Sequence, residues 1–245
     1  IPASELQGLT DGSTYTLTAN VSNAAGNAAT ANTSTTFSVD TTAPTLALTV
    51  GAAGALVNSS EDTEGTVVSV ASNGAWSVTL TGQSGSVVKT GTSTDTSITL
   101  TSLEVTTLGQ GAVTVSGVAT DAAGNSTTVA GVNLFSIDTV APLASIVIDS
   151  VTTDNVVNIA EGDSASIAIT GTVSGDVAVG DIVTVTVNGS VFTGSVAQSG
   201  NSKVFSINVS GANLEADTDL TVDASVTTTD AAGNSTTASA TKAYT

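Results

Sequence analysis

The sequence predicts an all-β chain built from tandem antiparallel β-sandwiches. A turn of the form Asn/Asp-Ala-Ala-Gly-Asn occurs three times, at residues 23–27, 121–125 and 230–234. Between these turns lie short stretches of alternating polar and apolar residues with turn signals about every 8 to 12 positions, a pattern typical of a β-sandwich. Apolar spacing nowhere favours a helix of useful length.

A second motif follows the turn at a fixed distance. Residues 40–44 (Asp-Thr-Thr-Ala-Pro) begin 13 positions after the first turn, and residues 138–142 (Asp-Thr-Val-Ala-Pro) begin 13 positions after the second. The third turn would reach the same motif at position 247. The glycines of successive turns are 98 and 109 residues apart. Internal spacing of this kind indicates a tandem array with one compact β-domain per repeat.

The predicted domains are 1–40, the last hairpin of a truncated repeat, followed by whole repeats at 41–138 and 139–245. The hairpin strands are predicted at 14–21 and 28–39. In the second repeat, strands are predicted at 46–50, 68–70, 75–80, 87–88, 97–100, 112–118 and 129–137. In the third, they are predicted at 144–148, 165–173, 182–187, 191–196, 204–209, 220–226 and 236–244.

Two turns affect this prediction. Asn188-Gly189 joins two predicted strands and is a strong signal for a tight hairpin. By contrast, a lone two-stranded hairpin is marginally stable in water. We therefore expect residues 1–40 to be locally disordered, to lean on the next domain, or to self-associate with another copy of the chain.

The composition is strongly acidic and has no cysteine. Three lysines stand against 21 acidic residues, which gives a formal net charge of -18. Such a chain repels nucleic acid and anionic membranes, so we expect neither as a partner, and it attracts divalent cations. Disulfides are unavailable to stiffen the repeats. No apolar run approaches the roughly 18 residues that span a bilayer.

The acidic residues lie mostly in loops that a sandwich gathers at its poles. The loop carrying Glu61, Asp62 and Glu64, together with Glu104, is expected near Asp138 of the following linker, and that linker is expected to face Asp230. Carboxylates from several segments suit Ca²⁺, which takes six to eight oxygen ligands. The full set of candidate metal ligands is Asp40, Asp121, Asp138, Asp230, Glu61, Asp62, Glu64, Glu104, Asp149, Asp154, Glu161 and Asp217.

Each of these features has a purely structural alternative that the sequence leaves open. The Ala-Ala-Gly-Asn segment makes a good turn without any ion, because glycine and asparagine tolerate positive φ and aspartate bonds to the turn backbone. The Asp-Thr-x-Ala-Pro linker could simply end a strand and stiffen a joint. Exposed acidic loops are often only solvated surface.

The residue types present argue against an enzyme. The chain has no histidine, cysteine or arginine, so the common general base and the thiol nucleophile are absent. A carbohydrate- or receptor-binding module is the main alternative to a structural role. Binding sites favour exposed aromatics, yet the chain has one Trp, two Tyr and four Phe. We expect Trp76 to fill the core.

At these motifs the sequence resembles bacterial Ig-like repeats of giant secreted adhesins of the RTX type and of biofilm-associated surface proteins. The matching segments are 39–44, 137–142, the three Ala-Ala-Gly-Asn turns, 180–189 (Gly-Asp-Ile-Val-Thr-Val-Thr-Val-Asn-Gly) and 216–219 (Ala-Asp-Thr-Asp). The resemblance implies a stalk on the bacterial cell surface that serves cell adhesion, contacts neighbouring repeats and binds Ca²⁺ at or near domain junctions. The second repeat lacks the Ala-Asp-Thr-Asp segment and has Leu103-Glu-Val105 instead, so its site is expected to differ.

Overall fold

The computed structural model describes residues 3–29, 33–60 and 65–245, and the chain divides into two compact units. Unit 1 is Ile1–Val57 with Glu61–Ile137, and unit 2 is Asn58–Ser60 with Asp138–Thr245. The division of the chain at residues 40 and 138 into one hairpin and two whole repeats stays a prediction. No helix in the described residues is long and apolar enough to cross a membrane.

Unit 1 is built almost entirely from β-strands. Its helices are α1 (Ala3–Leu6) and α2 (Ser102–Leu108). Its strands are β1 (Thr14–Ala19), β2 (Thr33–Ser38), β3 (Leu46–Val50), β4 (Leu56–Val57), β5 (Thr66–Ser72), β6 (Ala75–Thr81), β7 (Ser86–Gly91), β8 (Ser97–Thr99), β9 (Gly111–Thr120) and β10 (Ser126–Ile137).

These strands form a sandwich and a separate hairpin. One sheet has the order β4-β10-β9-β6-β7 and the other the order β3-β5-β8, while β1 and β2 make a two-stranded antiparallel sheet. Alternating side chains from both sheets fill one core, in which Val78, Leu80, Val113 and Val115 are fully buried. Only the β4–β10 pair is parallel, and it is two residues long.

Unit 2 repeats this plan. Its helices are α3 (Ile159–Gly162) and α4 (Gly211–Glu215). Its strands are β11 (Ala144–Ile148), β12 (Ile167–Gly175), β13 (Ile182–Val187), β14 (Ser190–Ser195), β15 (Ala197–Ser199), β16 (Ser202–Val209), β17 (Thr221–Thr229) and β18 (Ser235–Ala243). The sheets have the orders β11-β12-β16-β15 and β14-β13-β17-β18.

The two sheets of unit 2 also share one core, which includes Ile169, Val183, Val185, Phe205 and Leu214. The predicted hairpin at Asn188-Gly189 is present, since Val187 pairs with Ser190 across a two-residue turn. Asn188 and Gly189 both have positive φ, 48° and 69°, as the tight hairpin turn requires. The prediction of an all-β sandwich fold is confirmed.

Candidate metal centre

Each Asp-Ala-Ala-Gly-Asn turn is held together by its own aspartate. Asp121 Oδ1 accepts hydrogen bonds from the backbone N–H groups of Ala123 and Asn125, both at 2.9 Å, and Oδ2 accepts one from the Asn125 side-chain amide at 3.0 Å. Asp230 makes the same three bonds at 2.9, 2.9 and 3.0 Å. This is the local side-chain bonding that makes aspartate a turn former.

These hydrogen bonds also favour the charged form of both carboxylates. The side-chain amide of Asn125 is the main cause that lowers the pKa of Asp121 below its usual value. The side-chain amide of Asn234 lowers the pKa of Asp230 in the same way. The two turns therefore present ionised carboxylates at neutral pH, whereas the first turn begins with the uncharged Asn23.

The last asparagine of the turn binds the linker that precedes its own sandwich. In unit 2, the Asn234 side-chain amide donates to the backbone carbonyl of Asp138 at 2.8 Å. In unit 1, the amide of Asn125 donates to the carbonyl of Asp40 at 3.0 Å. The fixed pairing of the two sequence motifs thus has a physical basis, because each sandwich joins one copy of the turn to one copy of the linker.

A third polar side chain completes this corner of each sandwich. In unit 2, Asp176 Oδ2 accepts a hydrogen bond from the Leu143 N–H at 2.8 Å. In unit 1, Asn73 Oδ1 accepts the equivalent bond from the Thr45 N–H at 2.7 Å. Asp176 was not among the candidate ligands, and a lone aspartate after a strand gives little signal in the sequence.

Asp138, Asp176 and Asp230 line one open hollow in unit 2. Asp138 and Asp230 are partly buried and Asp176 is exposed. The donors are all oxygens, which suits a hard cation. However, across residues 3–29, 33–60 and 65–245, no three acidic side chains lie close enough together to form a complete metal site. The hollow therefore has the donor chemistry for Ca²⁺ without an assembled coordination shell.

Comparison with known proteins identifies the repeats. No family model and no curated protein matches the chain. One similar solved structure concerns the host cell surface retention of a 1.5-MDa bacterial ice-binding adhesin. It is 26% identical with a TM-score of 0.62, and the match covers 100% of this chain and 77% of that one.

A second similar structure is a Ca²⁺-stabilised adhesin that helps an Antarctic bacterium bind ice. It is 29% identical with a TM-score of 0.63, and the match covers 94% of this chain and 56% of that one. A bacterial immunoglobulin-like domain of the M. primoryensis ice-binding adhesin is 33% identical, and the match covers 42% of this chain and 97% of that one, with a TM-score of 0.39. The chain belongs to the Ig-like repeats of large bacterial adhesins.

These matches also agree with the expectation that the chain is not an enzyme, since the similar structures are adhesin domains. The present chain spans about half the length of the second structure.

The other carboxylates predicted for the Ig-like repeats are mostly engaged in local structure. Glu104 caps α2, where it accepts from the Thr101 N–H at 2.9 Å, and it pairs with the Lys89 ammonium at 2.6 Å. Partial burial acts to raise the pKa of Glu104, but Lys89 and Thr101 outweigh burial, and the pKa is lowered. The charge of Glu104 is thus already compensated by a lysine.

Three candidate carboxylates in the first loop of unit 2 support its turns. Asp149 accepts from the Thr170 hydroxyl at 2.8 Å. Asp154 accepts from the Val156 N–H at 3.1 Å. Glu161 accepts from the Asn158 N–H at 3.0 Å and completes the capping box of α3. Glu61, Asp62 and Glu64 of the first loop of repeat two lie outside the described residues.

Asp217 is the most buried carboxylate of the candidate set, with 7% of its surface exposed. Its Oδ2 accepts from the Tyr244 hydroxyl and from the Thr221 N–H, both at 3.0 Å. The Tyr244 hydroxyl also contacts the Leu214 carbonyl at 2.7 Å. These bonds connect the segment after α4 to the end of β18, so Asp217 has a structural role that its place in an acidic loop did not indicate.

Proposed function

We propose that this chain is part of a calcium-stiffened extender, or stalk, of a secreted bacterial cell-surface adhesin. The stalk holds a distal binding domain away from the cell for adhesion or biofilm formation. The observation that carries the proposal is the same turn-to-linker contact in both sandwiches, made by Asn125 in unit 1 and Asn234 in unit 2. It is supported by the similar adhesin that is described as Ca²⁺-stabilised.

The best candidate for a calcium-binding position is the hollow lined by Asp138, Asp176 and Asp230. Three carboxylates on one hollow repel one another when no cation neutralises them, and the net charge of -18 adds to the repulsion. A bound Ca²⁺ would relieve this repulsion and draw the carboxylates together. Asp40 and Asp121 occupy the equivalent corner of unit 1, where Asn73 replaces the third carboxylate, so we expect weaker binding there.

The placement of the aromatic side chains does not favour the alternative function of a carbohydrate- or receptor-binding module. Trp76 is 5% exposed, and its indole N–H donates to the Thr92 carbonyl at 2.8 Å. Phe135, Phe205 and Tyr244 are also buried. These rings fill the two cores, so they are not available to stack on a ligand.

We further propose that residues 1–40 are the final hairpin of another Ig-like repeat. Their turn, 23–27, lies at the same distance from the 40–44 linker as the second turn does from the 138–142 linker. The strands on either side of the turn, β1 and β2, pair in the same antiparallel manner as β9 with β10 and β17 with β18.

The calcium proposal is tested by thermal unfolding in Ca²⁺ and in EDTA. An ion at 100 times its dissociation constant stabilises the folded state by about 2.7 kcal/mol per site. For a domain of this size that is a rise in Tm on the order of 10 °C. Trp76 fluorescence follows unit 1 alone, because it is the only tryptophan, and hydrogen exchange in β17 follows unit 2.

Asp176→Asn is the sharpest variant, because it places in unit 2 the amide that unit 1 has at Asn73. It should reduce the Ca²⁺-induced rise in Tm of unit 2 and leave that of unit 1 unchanged. Asp163→Asn removes the same charge from an exposed position at the end of α3 and serves as the control. Equal melting temperatures of the parent in Ca²⁺ and EDTA would exclude a calcium-dependent stalk.

A further inference from the structure

Positions that are buried in both sandwiches are exposed in the first hairpin. When the three turns are aligned, Leu17 of β1 corresponds to Val115 of β9 and Ala224 of β17. Val115 is 0% and Ala224 is 3% exposed, whereas Leu17 is 44% exposed. Since the sequence keeps a large apolar side chain at this position, the inner face of the hairpin has the character of a core surface without a cover.

The aromatic residue near the end of the hairpin shows the same contrast. Phe37 of β2 corresponds to Phe135 and Tyr244, which are both 3% exposed. Phe37 is only half-buried, and it stacks on Tyr15 with 5.9 Å between the ring centroids. The two rings and Leu17 therefore form a small apolar cluster on the hairpin.

The free edge of β1 is the second unsatisfied feature. β9 pairs with β6 as well as with β10, and β17 pairs with β13 as well as with β18. Within the part of the chain that the structure describes, β1 has β2 as its one neighbour. An unpaired edge of this kind presents a row of backbone donors and acceptors that can pair with another strand.

Neither strand of the hairpin carries a charge that would prevent such pairing. β1 has the sequence Thr-Tyr-Thr-Leu-Thr-Ala and β2 the sequence Thr-Ser-Thr-Thr-Phe-Ser. By contrast, the edge strands β7 and β18 carry Lys89 and Lys242. Lysine on an edge strand is a common protection against edge-to-edge association.

We propose that the β1–β2 hairpin is a self-association surface that pairs with the hairpin of a second copy of this chain. A partner must offer a free, uncharged strand of alternating polar and apolar residues, and β1 of a second copy meets these requirements. A two-fold axis would place the same residues of both copies in contact. The inference concerns the chain of 245 residues and does not depend on calcium.

The contact is small, and each copy carries a net charge of -18, so electrostatic repulsion opposes association. Screening should weaken this repulsion, because at an ionic strength of about 0.15 M the Debye length is about 8 Å. We therefore expect association to increase with protein concentration and with monovalent salt.

Analytical ultracentrifugation of the full chain in EDTA tests the proposal separately from the calcium-dependent function. The weight-average mass should rise from 23.6 kDa toward twice that value as the concentration increases. Leu17→Lys should abolish the rise. Val132→Lys is the matched control, since Val132 lies on β10 and is 42% exposed, and it should associate like the parent.

Hydrogen exchange of β1 in the parent protein covers the case in which Leu17→Lys unfolds the hairpin. Amide protection in β1 should increase with protein concentration. A constant mass of 23.6 kDa, or β1 protection that is independent of concentration, would overturn the proposal. Unchanged association in Leu17→Lys would do so as well.

Discussion

The hydrogen bond between Tyr244 and Asp217 should account for a measurable share of the stability of unit 2. Tyr244 is 3% exposed and Asp217 is 7% exposed, so neither group is well solvated once its partner is removed. Leaving a buried acceptor without its donor costs about 1–3 kcal/mol. We therefore expect Tyr244→Phe to destabilise unit 2 by about 2 kcal/mol and to lower its Tm by roughly 8–16 °C.

Unit 1 shows which substitution should restore the loss. The offset of 109 residues that separates Asp121 from Asp230 also relates Leu108 to Asp217 and Phe135 to Tyr244. Leu108 and Phe135 are both buried in the core of unit 1. Unit 1 thus has an apolar pair where unit 2 has a hydrogen-bonded polar pair.

A double-mutant cycle tests this correspondence. Asp217→Leu should also destabilise unit 2, because the Thr221 N–H then loses its acceptor. The double variant Asp217→Leu with Tyr244→Phe should be less destabilised than the sum of the single variants, by about 0.5–3 kcal/mol, because the two residues are in contact.

Guanidinium unfolding measured by hydrogen exchange in β17 and β18 reports on unit 2. Trp76 fluorescence reports on unit 1 and should give the same transition in all four proteins. A Tyr244→Phe protein within about 0.5 kcal/mol of the parent, which is the usual range for a surface substitution, would show that this hydrogen bond adds nothing to stability.

Two further predictions follow from the same contacts. Burial, followed by the neighbouring carboxylate of Asp217, raises the pKa of Tyr244 above its usual value of 10.0. A raised pKa favours the protonated folded state, so unit 2 should keep its full stability below about pH 10 and lose it as the pH rises further; Tyr244→Phe should show a weaker loss in an alkaline titration followed by circular dichroism. Asn234→Ala should cost about 1–3 kcal/mol because Asn234 is 3% exposed and binds both Asp138 and Asp230. Asn125→Ala should cost less because Asn125 is more exposed; equal losses in chemical denaturation would contradict the role assigned to burial.

Most strands could be predicted because their apolar residues alternate over five or more positions. The predicted segment 182–187 coincides with β13, for example, and 144–148 with β11. β4 and β15 were missed because two and three residues are too few to show a period. Both strands exist because a neighbouring strand offers an edge, which is a tertiary property.

The short helices were missed although a local signal was present. Thr101 caps α2 and Ser210 caps α4, and the two caps are again 109 residues apart. The Thr-x-x-Glu sequence that begins with Thr101 is a capping box. It was read only as part of a loop, because helices of seven and five residues are too short to show helical periodicity.

The candidate site was predicted in part. The pairing of turn and linker follows from the fixed spacing of the two motifs, and the structure attaches Asn234 to Asp138 within unit 2. The contribution of Asp176 could not be predicted, because the loop lengths before Asn73 and Asp176 differ between the two repeats. Placing these residues at the same corner required the positions of β5 and β12.

The two sandwiches use one scaffold with different side-chain chemistry. Unit 1 has Leu108 in its core and Asn73 beside its linker, where unit 2 has the carboxylates Asp217 and Asp176. Each replacement adds a negative charge to unit 2 without a lysine paired to it among the described residues. Repulsion between carboxylates depends on pH and on bound cations, whereas apolar packing does not. The stability of unit 2 should therefore respond more strongly to calcium and to pH than that of unit 1, so a stalk of such repeats would vary in stiffness from one repeat to the next.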